Sequence, residues 1–323
     1  MNKAVSIQGI SKHYGAVQAL KNLSLDVEQG ELFGLIGPDG AGKTSLFRIL
    51  TTLLLPDAGK ATVNGLDVVS DYRKIRQQVG YMPGRFSLYP DLTVKENITF
   101  FATLFNTTLE ENYNLVREIY VQIQPFESRK AGKLSGGMKQ KLALCCALIH
   151  RPTVLFLDEP TTGVDPVSRA EFWQMLKRLK AEGISILVST PYMDEAAQCN
   201  RIGLLKEGEL LTLNTPQGIV EDFRATRTLW SVRGQAQYRL LQDLRELPFV
   251  AQCFAFGESH HVILTPEGTA KEAECKAETL RFLSERGHHE VELNHITASI
   301  EDCYMQLSAQ EPLLSAPNIT PHE

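Results

Sequence analysis

The segment Gly37-Pro38-Asp39-Gly40-Ala41-Gly42-Lys43-Thr44-Ser45 has the spacing G-x-x-x-x-G-K-[ST], the make-up of a loop that holds a polyphosphate. Glycines let successive backbone N–H groups curl around one phosphate, a lysine adds a point charge, and a threonine hydroxyl can reach a divalent cation. The apolar run "LFGLI" precedes this loop and "LFRIL" follows it. Strand, loop and helix are the context that separates a phosphate loop from a glycine-rich turn with an incidental lysine. Gly37, Pro38, Asp39, Gly40, Ala41, Gly42, Lys43, Thr44 and Ser45 are therefore expected to bind the phosphates of a nucleotide, with Thr44 also on Mg²⁺. Asp39 fits least well, because a carboxylate beside phosphates is repelled unless it points outward or pairs with a cation.

A second constellation is "VLFLDEP", Val154 to Pro160. Adjacent acids at the end of an apolar strand need a partner, and beside a phosphate loop that partner is Mg²⁺ and its water. Asp158 is expected on the metal and Glu159 as the general base that polarises water. Either acid alone could merely start a loop and cap the next helix, but the pair after this strand points to catalysis.

Such groups need a rigid frame. Up to about residue 224, apolar runs alternate with glycine-rich turns and helical stretches, which predicts an α/β fold with a largely parallel sheet. "LFGLIG", "TVLFLD", "ISILVS" and "RIGLLK" read as strands covered on both faces. Phe172, Met175, Leu176 and Leu179 fall at helical spacing after Asp165-Pro166, with Gly183 placed to end that helix. A helical insertion is expected over about 93–135. Residues 225–308 repeat strand, helix, strand, strand, helix, strand, a small α+β, ferredoxin-like order, and 309–323 reads as a flexible tail.

The bulk numbers are permissive: 323 residues, 43% hydrophobic, net charge −5, enough for about two domains and without a basic field for nucleic acid. The cysteines show no zinc spacing and are expected to be buried and reduced. His260-His261 and His288-His289 are expected in a polar turn or surface strand rather than on a metal. The N-terminus lacks a secretion signal, and no apolar run approaches the ~20 residues that span a bilayer.

"KLSGGMKQKLALCCAL", from Lys133, lies between the phosphate loop and "LDEP". In that order the set resembles the signature motif of ABC ATPases, over about residues 1–220, with the P-loop NTPase (RecA-like) fold. Ser135, Gly136 and Gly137 open a helix, where backbone N–H groups face an anion. The resemblance implies that this anion is the γ-phosphate of ATP held by a second subunit. It also implies that Tyr14 stacks on adenine and that Asp165 communicates across the dimer.

Two positions depart from the pattern. Gly84 stands where the family has a glutamine, and Pro191 where it has the switch histidine. The resemblance thus implies slow hydrolysis at this chain's own site and an intact signature serving a partner ATPase. A heterodimer is favoured and a homodimer possible. "GPDGAGKT", "GVDPVSRAEFWQM" and "YMDEAAQC" are similar to the first ATPase half of YbhF-type tandem multidrug exporters, and "SIEDCYMQL" resembles the end of the small domain on drug-exporter ATPases. Export through separate membrane-spanning permease subunits, at the cytoplasmic face of the cell membrane, is what this implies. A nucleotide-responsive regulator or another soluble ABC-family protein is the alternative.

Overall fold

In the computed structural model, residues 2–309 are described, so the expected tail, 309–323, lies outside the described residues except for Ala309, which ends a helix. Two compact units meet at Pro216/Gln217, eight residues before the expected boundary at 224. The difference has a local cause. The helix that starts at Pro216 buries Ile219 and Phe223, and the Ile219 carbonyl accepts from Cys303 Sγ, so it joins the second unit.

In the first unit, β1 (Lys3–Tyr14) and β2 (Val17–Glu28) pair antiparallel, and β3 (Leu32–Ile36) runs through the glycine loop into α1 (Lys43–Leu50). Then come β4 (Ala58–Val63), β5 (Leu66–Asp67), α2 (Tyr72–Gln78) and β6 (Val79–Met82). Helices α3 (Val94–Leu104), α4 (Tyr113–Ile123) and α5 (Gly136–Leu148) follow. The unit closes with β7 (Val154–Asp158), α6 (Pro166–Ala181), β8 (Ser185–Thr190), β9 (Arg201–Lys206) and β10 (Glu209–Asn214).

These strands form two sheets. The larger has the order β10-β9-β3-β8-β7-β6 and is parallel except where β10 pairs with β9. Its middle strands β3, β7 and β8 are buried along their whole length, so they carry no polar face and read as continuous apolar runs. The second sheet, β2-β1-β4-β5, is antiparallel and does not follow from the parallel pattern. Both bury their apolar faces in one core, where Phe47 of α1 meets Phe156 of β7 edge-on, ring centroids 5.7 Å apart.

Helix ends are set by local chemistry. Thr93 and Glu96 form a reciprocal capping box at the start of α3, satisfying two otherwise orphan N–H groups. Asp165 caps α6 by accepting from Ser168 N–H at 3.0 Å, with Pro166 in the first turn. Gly183 follows at φ +88°, a left-handed conformation that suits glycine after a helix. All six cysteines are free and buried; burial pushes the Cys145 thiol up to about 12, which leaves it unreactive.

The second unit begins with α7 (Pro216–Thr226), β11 (Leu229–Arg233), α8 (Gln237–Arg245), β12 (Val250–Phe256) and β13 (Ser259–Leu264). It continues with α9 (Pro266–Ala270), α10 (Glu272–Glu285), β14 (Glu292–Ile296) and α11 (Ile300–Ala309). Its antiparallel sheet has the order β12-β13-β11-β14, with its own core around Trp230, Leu240, Leu244 and Leu283.

Candidate functional site

The glycine loop sits where β3 ends. A side chain at Gly37 would bring a Cβ to 2.3 Å from the Leu205 carbonyl oxygen, and Gly42, at φ +103°, to 2.4 Å from that of Ala19. No other residue fits at either place without moving backbone. Ala41 is buried, whereas Pro38, Asp39 and Gly40 are exposed, so Asp39 takes the outward position that its charge requires. Lys43 Nζ donates to the carbonyls of Gly37 (2.7 Å) and Pro38 (2.9 Å). Thr44 and Ser45 are half-buried in the first turn of α1, and Ser45 Oγ lies 3.4 Å from the hydroxyl of Tyr14, a half-exposed ring at the end of β1.

The acidic pair faces this loop. Glu159 Oε1 is 3.4 Å from Lys43 Nζ, and Asp158 is 2% exposed. Ser189 Oγ donates to Asp158 Oδ1 at 2.5 Å. The other carboxylate oxygen, Oδ2, has no hydrogen bond among the described residues. One free oxygen on a buried carboxylate, facing a loop that leads into a helix with Thr44 in its first turn, is a hard-oxygen donor set that fits Mg²⁺. Burial and then the charge of Asp158 push the neighbouring Tyr81 phenol up to about 12. Glu159 itself has φ +50°, where a non-glycine residue stores about 1–3 kcal/mol, a cost that persists at functional sites.

Gly84 and Pro191 border the same place. A Cβ at Gly84 would lie 3.1 Å from the Asp158 carbonyl oxygen and 3.7 Å from Glu159 Cβ, so a longer side chain at this position starts against the acidic pair. Gly37 N–H donates to the Thr190 carbonyl at 3.3 Å, which puts Pro191 immediately beside the loop. Proline brings no donor there.

A network missed in the sequence fastens the segment after Pro191. Thr190 Oγ1 donates to the buried Glu195 at 2.6 Å and accepts from Tyr192 N–H at 3.1 Å. Arg169 of α6 lies 3.7 Å from Glu195 and stacks over the Tyr192 ring at 4.3 Å. The hydroxyls of Ser189-Thr190 closing an apolar strand were the available signal, of the same kind as Asp158-Glu159 closing β7.

Ser135 caps α5 by accepting from Met138 N–H; Ser135 and Gly136 are exposed and Gly137 is half-buried. A Cβ at Gly137 would be 2.9 Å from Ser168 Oγ, so this turn packs against the start of α6, next to Asp165.

The histidines of the second unit correct an expectation. Of the two pairs, His260, His261 and His288 are buried, not on the surface, and His289 is exposed. His261 Nδ1 is 2.6 Å from Asp302, His288 Nε2 is 2.7 Å from Asp243, and a His260 ring nitrogen meets the Gln237 carbonyl at 2.9 Å. Their partners come from elements distant in sequence, which local composition does not reveal.

Comparison with known proteins agrees with this geometry. A family model described as ABC transporter matches residues 20–162. The chain is 40% identical to the probable multidrug ABC transporter ATP-binding protein YbhF of Escherichia coli, over 95% of this chain and 52% of that protein. The chain thus spans about half the length of that relative. It is 35% identical to the Nod factor export ATP-binding protein I of Burkholderia pseudomallei, over 96% of this chain and 98% of that one. Among solved structures, it is similar to a dimeric post-hydrolysis ATP-binding cassette bound to ADP and Pi, with TM-score 0.60 and 27% identity over 65% of this chain and 98% of that chain. An ATP-binding subunit of an ABC transporter gives TM-score 0.63 at 26% identity, over 68% and 93%.

Proposed function

This chain belongs to the family of ABC transporter ATP-binding proteins, and from that premise we propose that it is the ATP-binding subunit of an exporter, dimerising to bind and hydrolyse ATP and drive export through separate membrane-spanning permease subunits. The single observation that carries the finer reading is the contrast between two ends of the machinery. Gly84 and Pro191 bring no side-chain donor to the acidic pair and loop they adjoin, whereas the Ser135-Gly136-Gly137 turn is complete and accessible.

Hydrolysis at this chain's own site is then slow, since loss of one positioned transition-state donor costs on the order of 10² to 10³ in rate. The loop binds ATP through its backbone N–H groups and Lys43. Tyr14 stacks on the adenine. Thr44 and Asp158 hold Mg²⁺, which neutralises phosphate charge when bound, and Glu159 accepts a proton from water. Ser135, Gly136 and Gly137 serve the nucleotide of a partner ATPase that carries the glutamine and the histidine, and Asp165 borders that contact.

The permease surface is supported by a cavity of about 550 Å³ between the strand end at Met82 and the helical insertion. Pro83, Leu88, Phe101, Leu104 and Phe105 give it an apolar lining. No helix among the described residues is long and apolar enough to cross a membrane, so the proposal places the subunit peripherally, at the cytoplasmic face of the cell membrane. Multidrug and Nod-factor relatives support export as the direction, with the substrate set by the permease.

ATP turnover by the chain, alone and mixed with a partner ATPase carrying the glutamine and histidine, tests this. The expected result is turnover in the mixture, abolished by Ser135→Arg and barely changed by Glu159→Gln. Rapid turnover by the chain alone, lost in Glu159→Gln, overturns the heterodimer in favour of a homodimer. No turnover in either case leaves a nucleotide-responsive regulator as the better account.

A further inference from the structure

We propose that Ser189 is a positioning residue for both acids at once, orienting Asp158 toward a divalent cation and fixing the backbone from which Glu159 reaches water. The inference rests on the roles given above to Asp158 and Glu159.

Ser189 and Asp158 are directly paired across the parallel strands β8 and β7, so their side chains emerge side by side from one sheet face. Ser189 is fully buried, and a buried hydroxyl has to find its partners within the protein. It finds them on the two acids alone. Its O–H donates to Asp158 Oδ1 at 2.5 Å, the short distance of a hydrogen bond to an ionised carboxylate. That bond fixes one oxygen and turns the other, Oδ2, into the ligand.

The same hydroxyl accepts from Glu159 N–H at 3.1 Å, and the Ser189 carbonyl accepts from that N–H at 3.0 Å. This forked contact lands on the residue whose φ is +50°. A left-handed glutamate persists only when its surroundings over-determine it, and Ser189 supplies that constraint from the neighbouring strand. A serine that merely filled space would need neither contact. With Pro191 two residues on lacking a donor, Ser189 is where β8 acts on the acidic pair.

Manganese, read by electron paramagnetic resonance in the full chain with a non-hydrolysable ATP analogue, reports Asp158 without requiring turnover. Ser189→Ala is expected to weaken Mn²⁺ binding in the nucleotide complex by on the order of tenfold, as loss of a ligand-orienting partner does. Binding of the analogue in EDTA should be unchanged, and Ser189→Thr, which keeps the hydroxyl, should restore metal affinity. Parent-like Mn²⁺ affinity in Ser189→Ala overturns the proposal. So does an equal loss of metal-free nucleotide binding, which would mark Ser189 as a general packing residue. If the parent chain itself binds no Mn²⁺ with the analogue, the assignment of Asp158 fails first and this inference falls with it.

Discussion

Glu159 shows how strain is stored in a single residue. Its φ of +50° strains any side chain, and glycine escapes that strain by about 1–2 kcal/mol. Glu159→Gly should therefore be more stable than Glu159→Ala by about that amount in urea titrations, although both lack the carboxylate. Equal stability of the two variants would mean that the strain is absent. Gly37 is the opposite case. Its missing side chain leaves room for the Leu205 carbonyl, and Gly37→Ala should cost about 1–3 kcal/mol by overpacking. ATP protection against thermal unfolding should disappear with it.

At the scale of elements, the segment after Pro191 is held by a helix. Arg169 of α6 joins Glu195 and Tyr192, and Glu195 is 3% exposed while the Arg169 side chain is 24% exposed. Removing the partner of a fully buried charge costs about 3–5 kcal/mol, and the partial exposure of Arg169 brings Arg169→Ala to about 1–3 kcal/mol. Arg169→Lys should recover only part, because an ammonium cannot stack its plane on Tyr192. Full recovery in chemical denaturation would reduce the contact to simple charge. Thr93→Ala, which removes the capping box of α3, should cost about 1 kcal/mol.

For the whole molecule, the presence of two cores makes their energetics separable. Trp230 is fully buried in the second, so Trp230→Ala should destabilise that unit by about 3–5 kcal/mol and leave the ATP-protected transition of the first in place. Loss of both transitions together would show one cooperative unit. Acid also separates them. Burial pushes the Asp243 carboxyl up, but hydrogen bonds from His288 and Arg286 outweigh it and hold the group below the usual range. A depressed folded value contributes stability that is complete above the unfolded pKa, about 3.9, and is lost as pH falls through the folded value. Melting of the second unit should therefore drop steeply below about pH 4, and Asp243→Asn should lower its stability at neutral pH and flatten that slope.

The residues that could do chemistry were legible in the sequence because each obeys a local rule. A phosphate loop needs contiguous glycines and a lysine, an acidic pair ends a buried strand, and a signature turn opens a helix, all within short windows. The buried parallel strands were legible for the same reason: a strand covered on both faces must be apolar throughout. The antiparallel β2-β1-β4-β5 sheet and the partners of Ser189, of Arg169 and of the buried histidines had no such window. Ser189 serves Asp158 from 31 positions away, and His261 meets Asp302 across 41. What those side chains do depends on which strands become neighbours, and burial there turns a serine or histidine into a group that must find a partner in the fold.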